Sequence, residues 1–213
     1  MKSKSKSTQY NAIDEFEPQL MSTTFKKPPY SQFIYEYIIQ EIHFYISDEI
    51  GAPDEYIDMI HKINIAGPND KIHIHLNTSG GRLDAGIQII NAIKNTEAEV
   101  FTILEGMAYS LGTLIFLSGH TKVVYDNSIM MFHNFRSGVM GKGNELTAEL
   151  DATIKWFSDL ARDIYIPFLT EDEFNRILKG EDLWMHTADI KERLDKVANP
   201  QVDVPSNKRT RKK

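Results

Sequence analysis

Ile72-His73-Ile74-His75-Leu76 alternates apolar and polar side chains, runs at once into Asn77-Thr78-Ser79-Gly80-Gly81, and is followed by Ile87, Ile90 and Ile93. A period of two, a glycine break and then spacings of three describe a strand with one face on a core, a turn and a helix. The same order recurs downstream, where Val100–Leu104 reads as a strand, Gly106–Ser110 as a turn and the residues to Leu117 as a helix. Upstream, Ile42–Ile46 is strand-like, Asp48–Gly51 reads as a turn, and Pro53–Ile65 is helical until Gly67-Pro68-Asn69-Asp70 breaks the chain. Lys122–Tyr125 and Ile129–Phe132 are short strands. Helices are predicted from Glu145 to about Phe168 and from Glu171 to Leu178. Strands alternating with helices in this way belong to the α/β class.

The 213-residue chain contains no cysteine, which excludes disulfides, thiolate metal sites and a cysteine nucleophile. Of the 24 basic residues, eight lie in residues 1–9 and 204–213, which hold no acid. The rest of the chain carries 16 basic against 30 acidic residues, a net of −14. An acidic body argues against nucleic-acid binding. Both basic ends lack apolar periodicity and are expected to be disordered. The N-terminus has no apolar run behind its lysines, so no signal peptide is expected, and the apolar stretch Phe101–Leu117 is too interrupted to span a bilayer. The expectation is a soluble, cytoplasmic protein.

Two turns can carry chemistry. Gly80-Gly81 can adopt backbone angles closed to other residues and bring a bare N–H close to a ligand, as an oxyanion-hole donor must. In Gly106-Met107-Ala108-Tyr109-Ser110-Leu111-Gly112, Ser110 stands at the first turn of a helix, beside unpaired N–H groups that include that of Leu111. Ser110 is either a nucleophile or a helix cap. The G-x-S-x-G elbow is not matched, because Ala108 holds its first glycine position. A serine nucleophile needs a base. Among seven histidines, His133 ends a strand beside a loop with Gly138, Gly141 and Gly143, a position suited to a cleft. His73 and His75 form an H-x-H pair of the kind that can hold a metal, but no third ligand is legible, and exposed strand histidines are the simpler reading. His43, His61 and His120 have no chemical context in the sequence.

Taken together, these segments resemble the ClpP family of self-compartmentalising serine peptidases over about residues 33–198. The markers are Leu76–Gly81 with Ala85-Gly86-Ile87, then Gly106–Gly112, then Asn127–Asn134, and finally Asp182-Leu183-Trp184-Met185. The resemblance implies a ClpP/crotonase-like spiral of β-β-α units. It implies Ser110 as nucleophile, His133 as general base and Asp182 as the acid, with Glu181 and Asp189 as rivals for that last role. The oxyanion hole would be the N–H groups of Gly81 and Leu111. Residues 145–168, apolar at Leu146, Leu150, Ile154, Phe157, Leu160, Ile164 and Phe168, fit the family's long interface (handle) helix, which joins two stacked heptameric rings. The chain departs from the family pattern at Ser79, where proline is usual, and at Tyr109, where a small residue is usual. His73 and His75 stand where relatives carry tyrosines lining the pocket for a partner AAA+ unfoldase, which argues against docking of such an ATPase.

Three segments are therefore expected: a basic N-terminal segment (1–32), a ClpP-like peptidase domain (33–198) and a basic tail (199–213). The expected activity is hydrolysis of peptide bonds in unfolded polypeptides or short peptides inside an oligomeric chamber, without metal or organic cofactor. Any use of ATP would belong to a partner unfoldase. The rival readings are a specialised processing protease independent of an unfoldase, a ClpP-like subunit that assembles without cutting, and a crotonase-type acyl-CoA enzyme.

Overall fold

The structure, a computed structural model, describes residues 38–136 and 142–199. The expectations for the two basic ends, and Gly138 and Gly141, lie outside those residues. Strand β1 (Glu41–Ile50) is followed by a 3-10 turn (Pro53–Tyr56) and helix α1 (Ile57–Ile65). Then come β2 (Lys71–Gly81), α2 (Leu83–Asn95), β3 (Glu99–Tyr109) and α3 (Leu111–Ser118). The chain continues through β4 (Thr121–Val124), β5 (Ile129–Phe132), α4 (Gly143–Tyr165), α5 (Glu171–Leu178), β6 (Leu183–His186) and α6 (Thr187–Ala198). The six strands form one sheet in the order β1-β2-β3-β5-β6, with β4 also on β3. All pairs are parallel except β5 with β6. Parallel neighbours need long crossovers, which α1 and α2 supply between the first three strands.

β3 is paired in two halves along one edge. Phe101–Leu104 align with β4, and Met107–Tyr109 align with β5. Ile72, Ile74 and Leu76 of β2, Val100 and Leu104 of β3, and Ile89, Ile90 and Ile93 of α2 are buried in one core. α3 is buried from Leu111 to Leu117, as expected of a helix apolar on every side. It packs closely on α2 at Gly86, where a Cβ would stand 2.3 Å from the Leu111 side chain.

Three segments read as turns are strand. Ile50, Gly81 and Met107–Tyr109 all have partners in the sheet, and that pairing overrides the local glycine signal. Asp48 takes φ 81° at an irregularity between Ser47 and Glu49, so the polar run there bends β1 without ending it. α4 spans Gly143–Tyr165, close to the expected 145–168, and Phe168 is buried beyond its end. β6 and α6 carried no legible sequence signal: one is four residues long and the other largely polar. Among the described residues, no helix is long and apolar enough to cross a membrane.

Candidate active site

Ser110, His133, Gly81 and Leu111 line a single cleft of about 640 Å³ at the carboxyl ends of the parallel strands β2 and β3. Ligands bind at that end in open α/β sheets. Its walls include Leu83, Leu114, Phe135, Phe157 and Tyr165. Clefts of about 600 Å³ elsewhere, such as that between Pro167–Thr170 and α6, are lined by Asp189, Glu192, Arg193 and Lys196.

Ser110 is the junction between β3 and α3. Its backbone is held at φ 54° and ψ −120°, a conformation that side chains with a Cβ rarely adopt. It occupies the N-cap position, yet its hydroxyl makes no capping bond. The cap reading of this serine therefore fails, and the residue lines the cleft. The strain is held in place by neighbours. The Ser110 N–H donates to the Met131 carbonyl at 2.8 Å, which ties the turn to β5, the strand that leads to His133. The Ser110 carbonyl accepts from the Thr113 hydroxyl at 2.6 Å. Thr113 has spent its only proton there, so at its 2.6 Å contact with Tyr165 the phenol donates. Burial pushes the Tyr165 phenol above its ordinary range, keeping that proton in place.

Gly80 backs the serine turn. A Cβ on it would lie 2.7 Å from the Tyr109 carbonyl oxygen, 2.9 Å from the Ser110 Cβ and 3.1 Å from the Leu111 nitrogen. With φ at 90°, its backbone also favours glycine. The adjacent Gly81 runs beside Ile50 of β1, where a Cβ would sit 2.2 Å from the Ile50 carbonyl oxygen. The two glycines thus let β1, β2 and the serine turn converge. The Leu111 N–H is the first of α3 and has no acceptor within the helix. Chemically, the arrangement brings a hydroxyl without a cap bond, an imidazole and two backbone segments able to present N–H groups to the lining of one cleft.

Asp182 does not line the cleft and is exposed. It lies just before β6, whose register with β5 ends at Phe132 opposite Leu183. His133 and Asp182 adjoin that last pair in the chain, one just after β5 and the other just before β6. Among the described residues, no side-chain hydrogen bond joins Ser110, His133 and Asp182. The rivals are engaged elsewhere: Glu181 pairs with Arg176 at 3.2 Å, and Asp189 lines the cleft at the start of α6.

The sequence model of the family described as Clp protease matches residues 27–193. The chain belongs to the Clp protease family. It is 28% identical over 179 residues to "ATP-dependent Clp protease proteolytic subunit 1" of Protochlamydia amoebophila (strain UWE25), covering 79% of this chain and 86% of that relative. It is 30% identical over 100 residues to "ATP-dependent Clp protease proteolytic subunit" of Deinococcus radiodurans, covering 46% of this chain and 48% of that protein.

Within this Clp protease chain, Tyr109 meets Trp184 edge-on at 5.3 Å between ring centroids. The bulky residue beside Ser110 thus leans across β5 onto the strand that follows Asp182. Thr113 and Tyr165 were not legible as site residues. They stand 52 positions apart, and neither belongs to a local motif. His73 and His75 are not the exposed strand histidines expected from sequence: His75 is 8% exposed and His73 is half-buried. His120 is structural, its ring nitrogen accepting the Val100 N–H at 3.0 Å.

Proposed function

We propose that this chain is a ClpP-like serine endopeptidase acting on unfolded polypeptides or short peptides inside an oligomeric chamber. The observation that carries the reading is Ser110, strained at a strand-to-helix turn and left without a cap bond, in one cleft with His133. His133 takes the Ser110 proton as the hydroxyl oxygen attacks the peptide carbonyl. The N–H groups of Gly81 and Leu111 receive the oxyanion. His133 then returns the proton to the leaving amine, giving an acyl-enzyme, and activates the water that hydrolyses it. Asp182 orients the imidazole. Leu83, Leu114, Phe135 and Phe157 along the cleft suit an apolar substrate side chain.

Exposed Leu150 and Ile154, one helical turn apart on α4, support the assembly part of the reading, because an apolar helix face seeks a partner. Labelling with a serine-reactive fluorophosphonate tests the chemistry. The expected result is one adduct per chain, lost in Ser110→Ala. Absence of labelling in assembled wild-type protein, or labelling that survives Ser110→Ala, overturns it.

A further inference from the structure

A second cluster of chemical groups lies on the outer face of the sheet, on β1, β2 and β3. Pairing of β1 with β2 sets His43 beside His73 and Tyr45 beside His75, and pairing of β2 with β3 sets His73 beside Phe101. Side chains alternate along a strand, so these residues share the face opposite the buried Ile72, Ile74 and Leu76. The rings form a packed row. His43 stacks on His73 at 4.4 Å, His73 on Phe101 at 4.7 Å, and Tyr45 on His75 at 4.3 Å.

For neutral rings, the hydrogen bonds decide which nitrogens carry lone pairs. The Glu105 carboxylate can only accept, so at 2.8 Å the Nδ1 of His75 is the protonated nitrogen. Neutral His75 then offers Nε2 as an acceptor, and the Nδ1 of His43, 3.0 Å away, is its donor. That leaves the Nε2 of neutral His43 with a lone pair. This nitrogen lies 3.8 Å from Glu41 Oε1, and the Nε2 of His73 lies 2.9 Å from the same oxygen. The His73 contact is short enough for a hydrogen bond but misaligned, so His73 Nε2 is buried without a partner.

We propose that Glu41, His43 and His73 form a divalent transition-metal site, with zinc the best match. Their ligand atoms lie within 4.8 Å of one another. The donor–donor edge of a zinc tetrahedron is about 3.4 Å for bonds of about 2.0–2.1 Å, so the 2.9 Å His73–Glu41 edge must lengthen and the 3.8 Å His43–Glu41 edge shorten. Glu41 and His43, 61% and 42% exposed, have room to shift. Two imidazoles and one carboxylate select a borderline ion such as zinc over magnesium or calcium, which prefer oxygen ligands throughout. The His43–His75–Glu105 chain is the outer support that ligating histidines generally have, holding the ring and its tautomer through the distal nitrogen. The His73-x-His75 pair alone does not reveal this site, because β1 supplies two of its ligands from 30 or more residues upstream.

The site is tested on full-length protein without a histidine tag, stripped with a chelator and titrated with zinc against a chromophoric competitor. Wild type is expected to bind one zinc per chain, with a melting temperature that rises as zinc is added. Glu41→Gln, His43→Ala and His73→Ala are each expected to weaken binding at least ~100-fold, as loss of one of three protein ligands should. Glu105→Gln, acting through His75, is expected to weaken it about 10-fold. Ser110→Ala and His61→Ala should bind as wild type does. Glu41 is exposed, so Glu41→Gln tests the site even where a histidine variant fails to fold. Cobalt(II) in place of zinc should give a visible spectrum that Glu41→Gln abolishes. Lack of saturable zinc binding in wild type, or undiminished binding in Glu41→Gln, overturns the proposal.

Discussion

Replacing Glu173 with glutamine removes one charge from the clamp that holds α5 to α6. The Glu173 carboxylate accepts from Arg193 at 2.6 and 2.8 Å, and from the Thr170 N–H and hydroxyl at 2.9 and 3.0 Å. Arg193 also donates to the Phe168 carbonyl, so the clamp fixes the turn that leads into α5. The guanidinium beside it holds the Glu173 carboxyl at about 2, against an ordinary 4.5, although burial pulls the other way. At roughly 1.4 kcal/mol per pH unit, that fall is worth at most about 3.4 kcal/mol. Both side chains keep some solvent contact, which brings the figure to about 2–3 kcal/mol. The folded pKa is depressed, so the stabilisation is complete above pH 4.5 and is lost as pH falls towards 2. By about pH 3, more than half is gone. Urea unfolding at equal protomer concentration measures it. Glu173→Gln should be about 2–3 kcal/mol less stable than wild type at pH 7 and within about 1 kcal/mol at pH 3. An equal gap at the two pH values, or none at pH 7, refutes the reasoning.

Gly80→Ala should lower kcat at least ~100-fold, because its methyl would press on the backbone of Tyr109 and Leu111 and displace the serine turn. Gly143→Ala, with nothing within 4 Å, is its control and should leave peptide hydrolysis unchanged. Tyr165→Phe removes the donor to Thr113 and should cost about 1 kcal/mol of stability. Its peptidase kinetics should show kcat reduced at unchanged KM, since the Ser110 carbonyl loses support while the cleft keeps its shape. Asp182→Asn should reduce kcat by about 10³–10⁴, whereas Asp189→Asn should change it less than about threefold. Equal losses in the two variants would sink the assignment of Asp182.

The strands and helices that could be read from sequence are those whose apolar pattern is both long and regular, such as Ile72–Leu76 and the Ile87, Ile90, Ile93 stripe. Ser110 stood out as a candidate because it stands where a strand meets a helix, whereas the choice of His133 among the histidines came from the family resemblance. What escaped was created by pairing between distant segments. Gly80 looked like a turn, yet its role is to stand against Tyr109 and Ser110, which reach it through β3. The Tyr165–Thr113 contact joins α4 to α3, and no periodicity in either helix signals it. His73 and His75 looked exposed because one strand cannot reveal that His43, Tyr45 and Phe101 will stack against them.

At φ 54° and ψ −120°, glycine is the residue the backbone at position 110 would select for itself, and a hydroxymethyl group is one it is made to carry. Drift from serine to glycine there would run downhill for folding and would remove the proposed nucleophile in the same step. A chain needed only as a scaffold would have little to hold it against that drift. Serine at this position therefore records a demand that folding alone does not make.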